Sequence, residues 1–235
     1  MDKLILAINT STAPFGLALV RPDAAIVAEI LLKPAARGFG SFMPALHHML
    51  SNANVTLREL QALAVAIGPG SFTGLRVGLA AAKGICQGLE IPAVAVSSLE
   101  ALAAQCPVSP YPICSLIDSR RGEYFAAFYR SLPGQELKVI KEETCLNINE
   151  LGALVEERTL FFGNSFALQG ALLREALGEK ALLAPAALWS LRASCVALLG
   201  LLKAEKSGFD NLESLVPSYL RPPDIRVRGT ASSER

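Results

Sequence analysis

The feature that most constrains the fold of this chain is an order of apolar runs and turn signals that occurs twice. Each half of the 235 residues predicts three strands followed by helix, strand, helix, strand and helix, without residue-level identity between the halves. Two mixed sheets covered by helices predict a duplicated, two-lobed α/β fold. The predicted units are a first lobe at 1–105, a second lobe at 106–189, a C-terminal helix with the following segment at 190–221, expected to pack back on the first lobe, and a flexible tail at 222–235.

Composition excludes several classes of protein. The hydrophobic fraction is 51% and the charged fraction is 18%, which excludes a disordered chain. Lys and Arg number 22 against 21 Asp and Glu, a balance that opposes a broad basic face for nucleic acid but allows a local basic patch. The five cysteines form no CxxC pair. The first apolar run is too short for a secretory signal and lacks its basic flank, so we expect none. No apolar run approaches the ~18 residues of a membrane span. We therefore expect a soluble protein of the reducing cytoplasm.

Serine residues mark two predicted helix starts. Ser41 precedes an amphipathic run at 41–52, and Ser97 and Ser98 follow a predicted strand at 93–96. A serine hydroxyl before the first helical turn accepts a hydrogen bond from a backbone N–H two or three residues later. The sequence therefore predicts helix caps at Ser41 and at one of Ser97 and Ser98.

A glycine-rich loop between a predicted strand and a predicted helix is the most specific local motif. Its sequence, GPGSFTGLRVGLAAAKG, spans 68–84. It is not a Walker A motif, because Gly74 is followed by Leu75 and Arg76 instead of Lys and Ser or Thr. Backbone N–H groups at such a helix start can bind an anion, but the residues alone favour a tight turn for close packing. The residues predicted beside an anion or nucleotide are Asn9, Thr10, Ser11, Gly70, Ser71 and Asp118.

This loop and four further segments resemble the TsaB family, also called YeaZ. The four segments are LILAINTST at 4–12, VAVSSLEALA at 94–103, SLIDSRRGEYFAAFY at 115–129 and LVPSYLR at 215–221. They occur in the family's order and are distributed from Leu4 to Arg221, so that they span nearly the whole chain. The resemblance implies the actin-like fold of the ASKHA superfamily, which sugar kinases and Hsp70 proteins share.

The resemblance also implies a function. TsaB is regarded as a non-catalytic paralogue of TsaD, the transferase that places a threonylcarbamoyl group on the adenosine beside the tRNA anticodon. If the similarity holds, this chain is a scaffold and activating subunit that pairs with TsaD, is joined by the ATPase TsaE and reaches tRNA only indirectly. It would hold no cofactor alone, with a nucleotide at most at the junction of the complex, and it would form a homodimer when TsaD is absent.

The residues themselves argue against catalysis by this chain. His47 and His48 are the only histidines, and adjacent helical positions point about 100° apart, so we predict no metal site. Asn9 stands where the family usually has Asp, a better magnesium ligand, and the loop at 38–40 lacks the family's His. Asp118, with neighbouring arginines, is predicted to line the cleft between the lobes or to form a hydrogen-bonded hairpin. The alternatives left open are an active small-molecule kinase of the same fold and, less favoured, a peptidase.

The helix after the glycine-rich loop is the predicted partner surface. Gly74, Gly78 and Ala82 recur every four residues, and small residues at this spacing let another helix approach closely. In the family, the first two helices of the first lobe contact TsaD. The alternative is that these residues pack against the chain's own sheet. The predicted contact residues are Phe42, Leu46, Met49, Thr73, Gly74, Val77, Gly78, Ala81 and Ala82.

Overall fold

The secondary structure forms two mixed sheets with helices on their faces. The structure is a computed structural model that describes residues 4–33, 39–106, 108–133 and 137–221. The strands within these residues are β1 (Leu4–Asn9), β2 (Phe15–Val20), β3 (Ile26–Leu32), β4 (Leu60–Gly68), β5 (Ala93–Ser97), β6 (Ile113–Arg120), β7 (Glu123–Arg130), β8 (Lys138–Asn147), β9 (Thr159–Phe162) and β10 (Ala181–Leu183). The α-helices within them are α1 (Phe42–Asn52), α2 (Phe72–Leu89), α3 (Ser98–Ala103), α4 (Ile148–Leu154), α5 (Phe166–Leu177) and α6 (Ala193–Ser207).

The two sheets have the same topology. The first has the strand order β3-β2-β1-β4-β5, and the second has the matching order β8-β7-β6-β9-β10. In each sheet the first three strands form an antiparallel meander, and the central strand pairs in parallel with the fourth. The identical order confirms the predicted duplicated α/β architecture.

Only one of the two predicted serine caps forms. The Ser97 hydroxyl accepts a hydrogen bond from the Glu100 amide and caps α3. The prediction for Ser41 is wrong: its backbone is already helical, and its hydroxyl makes no cap bond to α1. A cap residue needs an extended backbone to aim its side chain at the first free N–H groups, and Ser41 lacks that conformation.

In β1, β2 and β4 of the first sheet, the alanines point to one face and most of the larger side chains point to the other. Leu6 and Ile8 of β1 belong to the apolar cluster that contains α1 and α2, whereas Ala7 belongs to the cluster that contains α6. The same alternation runs through the neighbouring strands because successive side chains point to opposite faces. The alanines on the α6 face are Ala7, Ala18, Ala62, Ala64 and Ala66.

This alanine face lets α6 lie close to the sheet. The helix packs on β1, β2, β4 and β5, so the polypeptide returns to the first lobe after completing the second. At Gly200 a Cβ atom would lie only 2.8 Å from the Ala64 side chain and 2.8 Å from the Val94 side chain. The spacing between α6 and the sheet therefore requires glycine at this position. Within the described residues, no helix combines the length and the apolar composition needed to cross a bilayer.

Glu29 of the edge strand β3 fixes the start of α6. Its carboxylate accepts hydrogen bonds from the Ser194 amide and hydroxyl, both at 3.0 Å, and it forms an ion pair with Arg192. Burial acts to raise the pKa of Glu29, but the bonds from Arg192 and Ser194 outweigh it and leave the pKa below its usual 4.5. The carboxylate thus acts as the cap that α6 lacks locally, since its own N-cap, Arg192, makes no side-chain cap bond.

We predict that Gly200→Ala destabilises the protein by about 1–3 kcal/mol, because the added methyl group must push α6 away from the sheet. The control is Gly88→Ala on α2, where nothing lies within 4 Å of the new atom. That substitution should stabilise the protein by about 0.5–1 kcal/mol, as alanine does in an exposed helix. Urea denaturation of both variants measures the difference, and equal effects would contradict the close packing of α6.

We predict that Glu29→Gln removes a pH-dependent part of the stability. Because the folded pKa of Glu29 is lowered, its contribution is complete above the ordinary value of 4.5 and disappears as the pH falls through the folded value. The free energy of unfolding of the wild-type protein should therefore fall more steeply below about pH 5 than that of the variant. At neutral pH the variant should be less stable by about 1.5–3 kcal/mol, the value of hydrogen bonds to a charged group. Parallel pH profiles would contradict this role.

Candidate functional site

A cleft of about 620 Å³ separates the two lobes. Four of the predicted anion-site residues line it: Ser11, Gly70 and Ser71 from the first lobe and Asp118 from the second. The same cavity is also lined by residues from the β6–β7 turn, from the segment before α5 and from the C-terminal part of the described chain. Those with polar side chains or aromatic rings include Arg120, Asn164, Tyr219 and Arg221, and Phe72 at the start of α2 lines the cleft from the first lobe.

Asn9 and Thr10 lie behind the wall of the cleft and do not line it. The Asn9 side chain is fully buried, and its amide nitrogen donates to the Leu191 carbonyl at 3.0 Å, just before α6. Its amide oxygen accepts from the Ser11 amide at 3.0 Å and from the Ser11 hydroxyl at 2.7 Å. Both ends of the side chain are therefore engaged within the protein, and Asn9 supports the wall instead of facing a ligand.

The glycines of α2 allow this helix to pack against the end of β1. The Thr10 hydroxyl donates to the Gly74 carbonyl at 2.7 Å, and a Cβ atom at Gly74 or Gly78 would collide with Thr10. The Ser71 amide also donates to the Ser11 carbonyl at 2.7 Å. The glycine-rich loop thus holds two parts of the first lobe together, as the tight-turn alternative expects.

The second-lobe wall repeats the local geometry of the first with different chemistry. Asp118 lies on the central strand of its sheet, as Asn9 does, and its carboxylate accepts from the Arg120 amide two residues later at 2.9 Å. The Asp118 amide donates to the Asn164 side chain, which is in turn held by Gln169. Unlike Asn9, Asp118 is exposed to the cleft.

The β6–β7 turn has an unusual backbone. Arg120 and Arg121 have φ angles of +70° and +56°, and Gly122 follows with +76°. Residues other than Gly, Asn and Asp rarely adopt this left-handed conformation. The turn presents Arg120 to the cleft beside Asp118, as the cleft-lining alternative for this cluster expects.

The structure places six of the predicted partner-contact residues in the interior. Phe42, Leu46 and Met49 of α1 are at most 2% exposed and belong to the first-lobe core. The prediction that these three side chains anchor a partner is therefore wrong, because the sheet already covers them. Gly74, Gly78 and Ala82 are also buried on the inner side of α2.

Three of the predicted contact residues keep exposed surface. Thr73 is exposed, and Val77 and Ala81 are partly exposed on α2. Ala80 and Gly84 extend the same outward side of the helix, and no atom lies within 4 Å of a Cβ placed on Gly84. The outward side of α2 therefore carries a narrow strip of small residues.

Both histidines are exposed on α1, and His48 contacts the Asn52 side chain at 2.9 Å. Among the residues that the structure describes, no three His, Cys, Asp or Glu side chains are grouped so that they can hold a metal ion. Gly38 and the 222–235 tail lie outside the described residues.

Sequence reasoning missed the part that the C-terminal segment plays in the cleft. The Ser218 amide donates to the Ile67 carbonyl at 2.8 Å, and Tyr219 stacks on Phe72 with ring centroids 5.5 Å apart. Arg221 forms an ion pair with Glu123 at the start of β7. The segment therefore contacts both lobes, and the available signal was the motif LVPSYLR, which has no helical or strand periodicity of its own.

Comparison with known proteins identifies the family of the chain. A family model described as TsaD, tRNA N6-adenosine threonylcarbamoyltransferase, matches residues 39–227. The tRNA threonylcarbamoyladenosine biosynthesis protein TsaB of Bacillus subtilis is 35% identical over 98% of this chain and 99% of its own length. The chain belongs to the TsaB family. The TsaB protein of Haemophilus influenzae is 27% identical over 92% of this chain and 93% of its own.

Solved structures share the fold. YeaZ from Pseudomonas aeruginosa superposes with a TM-score of 0.76 at 22% identity, over 93% of this chain and all of its own. Component A of the (R)-2-hydroxyglutaryl-CoA dehydratase of Acidaminococcus fermentans superposes with a TM-score of 0.50 at 12% identity, over 87% of this chain and 100% of its own. These neighbours confirm the predicted two-lobed, actin-like fold of this TsaB-family chain.

We predict that Asn9→Asp destabilises the protein by about 3 kcal/mol, because a buried carboxylate replaces the amide that donates to Leu191. The matched control is Asp118→Asn in the second lobe, which keeps an oxygen acceptor for the Arg120 amide in an exposed position. Thermal unfolding of the two variants should show a large loss for the first and little change for the second. A stable Asn9→Asp protein would contradict the structural role of Asn9.

Proposed function

We propose that this chain is a non-catalytic scaffold subunit of tRNA threonylcarbamoyladenosine biosynthesis. It pairs with a TsaD-type transferase, activates it, and joins the ATPase TsaE in the same complex. Membership of the TsaB family supports the pathway, since its relatives are named as proteins of this biosynthesis. The match to the TsaD family model supports pairing, because duplicated relatives that share a fold commonly associate through equivalent surfaces.

The outward strip of α2 is the observation that carries the proposal. Thr73, Val77, Ala80 and Gly84 follow one another at intervals of three or four residues, so they share one side of the helix. The opposite side of α2 is occupied by Thr10 and the first-lobe core. Small side chains on an exposed helix permit the close approach of a second helix. A helix face that only contacts water does not require small side chains. We assign this strip, with the exposed Met43 of the neighbouring α1, as the contact for TsaD.

The state of Asn9 supports the absence of catalysis by this chain. A kinase of this fold needs an acidic strand end that faces the cleft, and here the first strand ends in an amide whose two polar atoms are already bonded. Among the described residues that line the cleft, Asp118 of the second lobe is the one acidic residue, so the first-lobe wall that they form carries no carboxylate. The chain therefore contributes surfaces to the reaction, and its partner contributes the reacting groups.

We predict that Ala80→Arg abolishes pairing with the cognate TsaD, with affinity reduced by about 100-fold or more, because a bulky charge would be buried in a close helix contact. The matched control is Ala171→Arg, which makes the same change on the exposed side of α5 in the second lobe. Light scattering after size exclusion measures the mass of each mixture. Loss of the heterodimer in the first variant alone is the expected result.

Further measurements separate the roles. The isolated wild-type chain should hydrolyse no ATP above background, and turnover removed by Asp118→Asn would favour the kinase alternative. The mass of the isolated chain reports whether a homodimer forms. We expect Ala80→Arg to disrupt this homodimer, because we propose that the second copy contacts the same strip of α2 as TsaD does. Equal heterodimer formation by both arginine variants would place the partner surface elsewhere.

A further inference from the structure

An aromatic and cationic cluster lies on the first-lobe side of the cleft mouth. The Arg76 guanidinium stacks 3.8 Å from the centre of the Phe72 ring, and its Nε donates to the Tyr219 hydroxyl at 3.2 Å. The Phe72 and Tyr219 rings are themselves tilted by only 31°. Nevertheless, Phe72 is 40% exposed and Tyr219 is 41% exposed. The fold thus orders two large rings at the surface without burying them.

Arg120 lies on the opposite side of the cleft mouth, and Arg121 follows it in the β6–β7 turn. Arg120 and Arg121 occupy left-handed positions that cost a residue with a Cβ about 1–2 kcal/mol each. Arg120 ends β6 and pairs with Glu123, so the two-residue loop is Arg121 and Gly122. Glycine or asparagine at 120 and 121 would adopt these left-handed positions with less strain, so the fold alone does not require arginine at either. Backbone strain of this kind is characteristic of functional positions.

The cleft mouth is more basic than the rest of the chain. Arg120 and Arg221 line it, Arg76 is bonded to the lining residue Tyr219, and Arg121 follows Arg120 in the turn. The nearby acidic residues are Asp118, which lines the cleft, and Glu123, which is paired with Arg221. Over the whole chain, basic and acidic residues are nearly equal, at 22 and 21. The positive charge is therefore local.

Exposed rings among arginines fit one class of ligand in particular. Unpaired bases stack on aromatic side chains and on guanidinium planes, while arginines neutralise the phosphates between them. An acidic peptide would use the positive charges but would not need two ordered, exposed rings. A nucleic-acid duplex keeps its bases stacked internally and would not use the rings either.

We propose that the cleft mouth binds a single-stranded segment of RNA. Its binding surface comprises the lining residues Phe72, Tyr219, Arg120 and Arg221 and the adjacent Arg76 and Arg121. The inference rests on the proposed function, in which tRNA is the substrate of the complex, and it gives this chain a direct contact to the RNA. The rings stack on exposed bases of a loop, and the arginines bind the flanking phosphates. The partner subunit supplies the rest of the affinity.

The test measures fluorescence anisotropy of a labelled tRNA anticodon stem-loop with the chain, alone and in complex with TsaD, at several salt concentrations. Tyr219→Ala should weaken binding by about 5- to 100-fold, the loss typical of one stacked base. Arg120→Glu combined with Arg121→Glu should weaken it at least tenfold and flatten the dependence of log affinity on log salt by about 1 to 1.5. The matched controls are Phe209→Ala and Arg174→Glu, which change an exposed ring and an exposed arginine that do not line the cleft.

Arg120→Gly separates binding from folding. Glycine relieves the strained backbone, so this variant should unfold at the same or a higher temperature while binding the stem-loop more weakly. Equal losses in the control variants, equal affinity for a fully paired RNA hairpin stem, or no effect of these substitutions would each overturn the inference. If RNA binding fails while the heterodimer with TsaD still forms, the inference is wrong and the proposed function stands.

Discussion

The return of α6 to the first sheet is the interaction on which the rest of the molecule depends. The helix lies against the alanines of β1, β2 and β4 and the valines of β5, with Gly200 at the closest approach. Glu29 bonds its first turn, and Asn9 bonds Leu191, two residues before it. Because α6 ends on the first lobe, the segment that follows must cross back toward the cleft. Leu215 is buried in the first-lobe core, and six residues later Arg221 pairs with Glu123 of the second lobe. The packing of α6 on the first lobe thus places the segment that follows it, including Tyr219 and Arg221, at the cleft between the two lobes.

The same packing gives the glycine-rich loop a structural role in the first lobe. Gly74 and Gly78 leave room for Thr10, and the Asn9 amide donates to the carbonyl of Leu191, two residues before α6. Groups that would otherwise face a ligand are bonded to their own backbone, which rigidifies the wall of the cleft. A rigid wall suits a subunit whose contribution is a surface, because a partner then binds a preformed shape and loses less conformational entropy.

The sequence predicts the order of the elements well because each one leaves a local signal, such as the alternation in a strand or the serine before α3. It could not assign the small residues of α2 correctly, because a stripe of glycines has the same spacing whether it meets another molecule or Thr10 of the same chain. The same ambiguity applies to Phe42, Leu46 and Met49. The sequence of an amphipathic helix reveals its apolar side but does not tell whether the chain's own sheet or a partner covers that side. The Leu-Ala alternation in β1 and β4 did carry the missing information, namely which face of the sheet accepts a closely packed helix. The position of Tyr219 depends on contacts with residues more than a hundred positions away, and no local pattern encodes them.

The two lobes share a topology but differ at equivalent positions, and the roles that we propose for the molecule follow this difference. In the first lobe, the turn after the central strand is closed inward by Asn9 and Thr10, which leaves the outer side of α2 as the available surface. In the second lobe, the equivalent turn keeps an exposed Asp118 and places two arginines in a strained conformation at the cleft. Glycine would relieve that strain, and the RNA contact that we propose gives a reason for two arginines at these positions. A duplicated fold can therefore assign assembly to one copy and charge recognition to the other, because a local turn can change its chemistry while the sheet beneath it is unaltered.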